Sequence, residues 1–217
     1  MIELKTIREN YKPIQPAVSA EDREIGYREI PPAITIENYV YCFWQLKTRK
    51  SLQSNFSYRV VSDGCIDIFF DHHQPVASFI MGFCRKYTQF PIGKEFDYIG
   101  IRFLPAIFPV LFGVDAKNLS NQSQELKAVL PFLSEWIASN IKPLDSFEDV
   151  VKLLNDKIDH HSKSQNISCD RRFLNALNRI FKRNGYLDIE KELNTGLSAR
   201  QLRRIFNYYI GTTPKSF

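Results

Sequence analysis

The chain has 217 residues, 44% of them hydrophobic and 24% charged, with a net charge of +5 at neutral pH. That composition suits a globular chain with a buried core and excludes disordered, collagen-like and coiled-coil classes. The longest mostly apolar run, Ile99 to Val114, is interrupted by Arg102, Pro105 and Pro109 and is too short to span a bilayer. The first ten residues carry Glu3 and Glu9 and lack the apolar stretch of a signal peptide. A cytoplasmic location with no membrane partner is the expectation. Cys42, Cys65, Cys84 and Cys169 form no C-x-x-C pair, so they read as reduced thiols rather than zinc ligands or a disulfide framework.

In chain order, residues 1–33 read as irregular because Pro13, Pro16, Pro31 and Pro32 punctuate them. Ile34 to Tyr41 suggests a short helix, and the aromatic run Tyr41 to Gln45 a strand. Tyr58 to Val61, the turn signal Ser62-Asp63-Gly64 and Cys65 to Phe70 predict a β-hairpin. Within it Ile66, Ile68 and Phe70 share one face, and Asp67 and Phe69 the other. Ser78 to Phe83 and Phe96 to Phe103 are further strands, the latter with Ile99, Ile101 and Phe103 opposite Gly100 and Arg102. Ala106 to Phe112 is a short helix ended by Gly113. Gln124 to Asn140 and Phe147 to His160 have helical spacing, the second with Val150, Val151, Leu153, Leu154 and Ile158 as its apolar stripe. His160 and His161 then sit at a solvated helix end. The polar stretch His161 to Ser168 reads as a linker. The expected class is α+β: a β-rich sensor-like domain with packed helices over 1–162, a linker at 163–170, and an all-α helix-turn-helix unit at 171–217.

Charge is distributed unevenly. Residues 168–217 hold ten Lys/Arg against four acids, a balance of +6; residues 1–167 hold 19 against 20, a balance of −1. A basic segment of this kind points either to nucleic acid or to a solvated helical surface. Its helices are well marked. Arg172 to Asn184 is amphipathic and ends at Gly185, and Asp188 to Asn194 is a second short helix. After Gly196, Ser198 and Gln201 form a capping box, with Leu197 and Leu202 placed as a hydrophobic staple. Leu202, Ile205, Phe206 and Tyr209 form the buried stripe; Arg200, Arg203, Arg204 and Asn207 cluster on the opposite face. Gly211 and Pro214 end this helix. A short helix, a glycine turn and a capped helix with a basic outer face form a helix-turn-helix. Arginine there matches guanine O6 and N7, and Asn207 suits adenine or a phosphate.

The run Leu197-Ser-Ala-Arg-Gln-Leu-Arg-Arg-Ile-Phe206, followed by Gly211-Thr-Thr-Pro-Lys-Ser-Phe217, resembles the AraC/XylS family of bacterial transcription regulators. The shared pattern is a serine, a leucine four residues on, a basic residue, a phenylalanine, a glycine and a proline. The resemblance implies double-stranded DNA as partner and base contacts from Arg200, Arg203 and Arg204. Lys215 would be a phosphate contact or a solvated lysine. The family carries two helix-turn-helix units; residues 171–217 match the first, and the second is not in this sequence. Either a truncated chain or a departure from the family accounts for that.

Tyr58 to Asp71 and Ile99 to Phe103 resemble a poorly characterised domain that precedes some AraC-type units. That pattern has Pro before Asp-Gly, where this chain has Ser62, and Pro-Gly after the Arg-Phe strand, where it has Pro105-Ala106. The resemblance implies a sensor or dimerisation role, with a small-molecule effector and a homodimer as partners. Asp67 and Arg102, each mid-strand opposite an apolar row, form an ion pair or bind a polar effector. Trp44, with Tyr41 and Phe43, lines a pocket or belongs to an aromatic core. Trp44, Asp67 and Arg102 are thus the candidate effector residues. His72 and His73 are adjacent strand residues facing opposite ways and make a poor metal pair, so neither metal nor cofactor is expected. No phosphate loop, nucleophile elbow or zinc-protease motif occurs, so the chain does not read as an enzyme. The alternative to a regulator is a non-DNA effector-binding or protein-interaction module with a residual helical tail.

Overall fold

The computed structural model describes residues 2–13, 24–60, 63–84, 88–193 and 195–217. The architecture is α+β. A six-stranded antiparallel sheet is built from β1 (Ile25–Ile30), β2 (Val40–Thr48), β4 (Ile66–Asp71), β5 (Ser78–Met81), β7 (Asp97–Phe103) and β8 (Ser123–Glu125), in the spatial order β1-β2-β7-β4-β5-β8. The remaining strands, β3 (Phe56–Val60) and β6 (Thr88–Gly93), pair only with each other.

This topology corrects the expected hairpin. β3 pairs with β6, and β4 lies between β5 and β7. The turn residue Ser62, with Val61, lies outside the described residues. A turn signal marks where the chain bends but not which strands meet, because pairing depends on the side chains each strand must bury.

Alternation within the strands held, and it separates two cores. Ile66, Ile68 and Phe70 of β4, Ile99, Ile101 and Phe103 of β7 and Phe43 of β2 face the large core. That face is covered by α2 (Ile107–Phe112), α3 (Leu126–Val129), α4 (Pro131–Asn140) and α5 (Phe147–Ser164). Cys42, Trp44 and Leu46 of β2 and Met81 of β5 face the other way, where Tyr58, Phe56 and Ile92 of the two-stranded sheet pack over them. The small sheet therefore roofs one face of the large one.

Several boundaries differ from the expectation. Residues 2–10 form a helix, α1 (Ile2–Asn10), and Ile25–Ile30 a strand, so residues 1–33 are not irregular throughout. Both segments are held by tertiary contacts: in the helix Ile7 is fully buried and Arg8 donates to the carbonyls of Glu37 and Val40, and the strand pairs with β2 and buries Ile25. Residues 34–39 are turns rather than a helix, and β2 begins at Val40. The expected helix from Gln124 starts as β8 and breaks at Leu130, because Pro131 has no N–H to continue the ladder and opens α4 instead. α5 runs into the expected linker, ending at Ser164, and residues 165–170 remain non-helical. Its residue His161 is half-buried rather than solvated, stacked on Phe112 at 4.9 Å and 3.1 Å from the Leu111 carbonyl.

The last segment folds as α6 (Arg171–Lys182), α7 (Ile189–Glu192) and α8 (Ala199–Ile210). Asn194, where the second helix was expected to end, lies outside the described residues. α6 closes with the left-handed pair Asn184 and Gly185, whose amides donate to the carbonyls of Phe181 and Ile180. Its apolar stripe (Phe173, Leu174, Leu177, Ile180) joins the same buried cluster as the large sheet's core, so one core runs from the sheet through α6 and α8.

Candidate functional site

Two regions bring the candidate residues together. The first is α8. The Ser198 side chain accepts the Gln201 amide, the Gln201 side chain accepts the Ser198 amide, and Gly211 ends the helix in the left-handed conformation. The expected capping box and glycine stop are both present. Leu202, Phe206 and Ile210 are buried, with Phe206 5.0 Å from Phe173 and Tyr209 stacked on Phe173 at 4.6 Å.

The opposite face carries Arg200, Arg203 and Arg204, all exposed, and Asn207, half-buried. Arg203 Nε donates to the Ala199 carbonyl at 3.3 Å, and Asn207 Nδ2 donates to the Arg203 carbonyl at 2.9 Å. Both side chains therefore lie along the helix. Lys215 is exposed and shares with Arg203 a groove of about 880 Å³ between α7 and α8, walled by Leu187, Ile189, Leu193 and Leu197. Of the residues expected to face DNA, Arg200, Arg203, Arg204 and Lys215 are exposed, and Arg203 and Lys215 border one groove.

The inner end of α8 is seated on the sheet domain. Ser120 Oγ lies 2.7 Å from the Gly211 carbonyl and 3.0 Å from that of Ala116, within reach of either as donor. Phe217 packs on Phe181, Phe206 and Phe83 and against Gly64 in the loop before β4.

The second region is a cleft of about 270 Å³ between the two sheets. Trp44, Tyr58, Phe69, Phe79 and Tyr98 give it aromatic walls, Leu46, Met81 and Ile92 complete the apolar lining, Ser123 stands exposed at its edge, and Asp67 is its one carboxylate among the described residues. Register explains the assembly. Asp67 on β4 lies opposite Arg102 on β7, which lies opposite Cys42 on β2; two residues along, on the same face, Phe69, Gly100 and Trp44 are in line. Because Gly100 has no side chain, the Trp44 indole crosses over β7 and its Nε1–H donates to Asp67 Oδ2 at 3.1 Å.

Arg102 donates to Asp67 from Nε at 3.2 Å and from Nη2 at 2.9 Å, and its Nε lies 3.8 Å from Asp63. Asp67 and Arg102 are thus a buried ion pair, the first of the two alternatives open from sequence. Burial raises the Asp67 pKa, with Arg102 and the Trp44 hydrogen bond pulling against it. For Arg102, burial disfavours the charge, but Asp67 and Asp63 outweigh it and keep the guanidinium protonated. Burial also pushes the Tyr58 hydroxyl up to about 12, so it is neutral near pH 7.

Of the three candidate effector residues, Trp44 and Asp67 line the cleft. Arg102 opens instead on a cavity of about 10 Å³ behind them, bounded by Asp63, Cys65 and Cys84. Tyr41 and Phe43 are not in the cleft; Phe43 belongs to the large core. His72 is buried beside Asp97, its Nδ1 3.3 Å from Asp97 Oδ2, whereas His73 is exposed. Among the described residues, no group of three or more His, Cys, Asp or Glu is placed to hold a metal. All four cysteines are free thiols.

Sequence reasoning missed Tyr58, Phe69, Phe79 and Tyr98 as cleft residues, because the small sheet that closes the cleft was not foreseen. The available signal was Gly100 in mid-strand, which marks a site where another group approaches the backbone closely.

A two-sheet domain with a roofed aromatic cleft, carrying a basic helical unit on its helix-covered side, is the class this architecture defines. Residues 28–125 match a family described as a domain of unknown function (DUF6597). The match runs from within β1 to the end of β8, so it takes in most of both sheets and all the described cleft residues. Both stretches that carried the N-terminal resemblance fall inside it. No curated protein and no solved structure matches the chain. No helix among the described residues is long and apolar enough to cross a membrane.

Proposed function

We propose that the chain is the sensory domain and first helix-turn-helix of an AraC-type transcription regulator, in which α8 reads double-stranded DNA. The observation that carries this reading is the division of α8. Its apolar stripe is locked into the core while Arg200, Arg203 and Arg204 are exposed on the other side. A rigid, capped helix with guanidinium forks along its outer face suits the major groove, where arginine recognises guanine edges. Lys215, beyond the helix end, suits a phosphate and adds sequence-independent affinity through counterion release. The cleft between the sheets is the sensing site, and a homodimer with two half-sites is the expected assembly.

The test is selection of bound duplexes from a randomised DNA pool, followed by titration of the enriched duplex at rising salt. Affinity should fall steeply with salt, with a slope of about −0.9 per phosphate neutralised. Arg203→Ala or Arg204→Ala should weaken specific binding by about 1–3 kcal/mol, while Lys215→Ala should weaken all duplexes alike. Failure to enrich any sequence, or unchanged affinity in both arginine variants, overturns the assignment and favours the non-DNA interaction module.

A further inference from the structure

The cleft also indicates what kind of molecule it takes. Its walls are aromatic: Trp44 and Phe69 lie 6.1 Å apart between ring centres, Phe69 and Phe79 5.5 Å, Phe69 and Tyr98 6.0 Å. Such rings present a flat apolar body with partners and offer the negative faces of their π systems to a positive charge. The one carboxylate among the described lining residues is Asp67; lysine, arginine and histidine contribute none of them. Arg102 pairs with Asp67 and borders the small cavity, not the cleft, so of the two partners only Asp67 reaches the cleft. The Trp44 N–H, the one side-chain N–H among the described lining residues, is already committed to Asp67. An anionic group entering here would meet a carboxylate and π faces and, among the described lining residues, would gain no cationic partner for the hydration it loses.

We propose that the cleft binds a small aromatic-bodied amine, with its apolar body against the wall formed by Trp44, Phe69 and Phe79 and its ammonium turned toward Asp67. This rests on the sensory half of the function proposed above and names its ligand class.

Three probes with one body and different heads test it: 4-phenylbutylammonium, 4-phenylbutanol and 4-phenylbutyrate. The chain contains two tryptophans, Trp44 and Trp136. Trp136 lies on α4, outside the cleft, so Trp136→Phe leaves Trp44 as the reporter. Titration should shift Trp44 emission, with the ammonium probe binding at least about tenfold more tightly than the carboxylate. Asp67→Asn should remove that preference. Because this change removes the nearer of the two carboxylates that hold the buried Arg102, Ser123→Lys supplies a second variant at an exposed position on the cleft's edge. It should weaken the ammonium probe and strengthen the carboxylate. Equal or tighter binding of 4-phenylbutyrate overturns the proposal, as does the absence of any emission change with all three probes. No DNA is present in this experiment, so its failure leaves the DNA-reading assignment of α8 standing, and failure of the DNA selection leaves the ligand result standing.

Discussion

The indole of Trp44 lies directly over the α-carbon of Gly100, so that a methyl group there would fall 2.2 Å from Trp44 Cε2 and 2.3 Å from Cζ2. The contact is with a rigid ring in a buried cluster, and the ring is further held by its bond to Asp67. Gly100→Ala should therefore destabilise the fold by about 1–3 kcal/mol and displace the indole. Urea unfolding measures the first effect. A shifted Trp44 emission in the Trp136→Phe background measures the second. Wild-type values for both would show that the crossing over β7 is not a constraint.

Gly64 bears a similar relation to Phe217 across the two parts of the chain. Its φ is +79°, and a Cβ would meet Phe217 Cε2 at 2.4 Å. Two costs are mixed in Gly64→Ala: the left-handed backbone, about 1–2 kcal/mol, and the displaced ring. In a Phe217→Ala background only the first remains. The double variant should be less destabilised than the sum of the singles, with a coupling of about 0.5–3 kcal/mol. Strict additivity would mean that Phe217 does not dock on this loop in solution.

Asp97 sets a pH dependence. Burial raises its pKa, but hydrogen bonds from His72 and Gln45 outweigh this, and the net direction is down. A folded-state pKa below the unfolded one gives stability that is fully present above the ordinary carboxylate value, about 3.9. It is lost as pH falls through the depressed folded value. Asp97→Asn should thus be less stable than wild type near neutrality, and the gap should close in acid. Unfolding curves from neutral to strongly acidic pH decide this; a gap that widens on acidification contradicts the assigned bonds.

Ala106 occupies a left-handed conformation, φ 71° and ψ −13°, at the start of α2. This is the position at which the related pattern carries glycine after proline. Ala106→Gly relieves about 1–2 kcal/mol of backbone strain, but it loosens the unfolded chain by about 0.4–1 kcal/mol and removes a buried methyl worth about 0.8 kcal/mol. These terms nearly cancel, so thermal unfolding should place the variant within about 1 kcal/mol of wild type. Ala106→Val, with a branched side chain at positive φ, should be clearly less stable. A stable valine variant would rule out the left-handed backbone.

Much of this protein was legible in its sequence wherever the determining forces are local. Ser198, Gln201 and Gly211 act through hydrogen bonds and backbone geometry within a few residues, so α8 and its exposed arginines could be placed from spacing alone. Strand alternation was equally readable, because neighbouring side chains necessarily point to opposite faces. Hence Ile66, Ile68 and Phe70 fell on one side and Asp67 on the other. Tertiary structure alone decided the rest. The pairing of β3 with β6, the helix at Ile2–Asn10 and the extension of α5 through His161 depend on which distant surfaces need cover. The cleft is the clearest case: Trp44, Asp67 and Tyr98 come from three strands, and only the order β2-β7-β4, with Gly100 at its centre, brings them to one site. A chain-order pattern records which face a residue takes, but not which strand becomes its neighbour, because burial of apolar surface is non-directional and many pairings satisfy it.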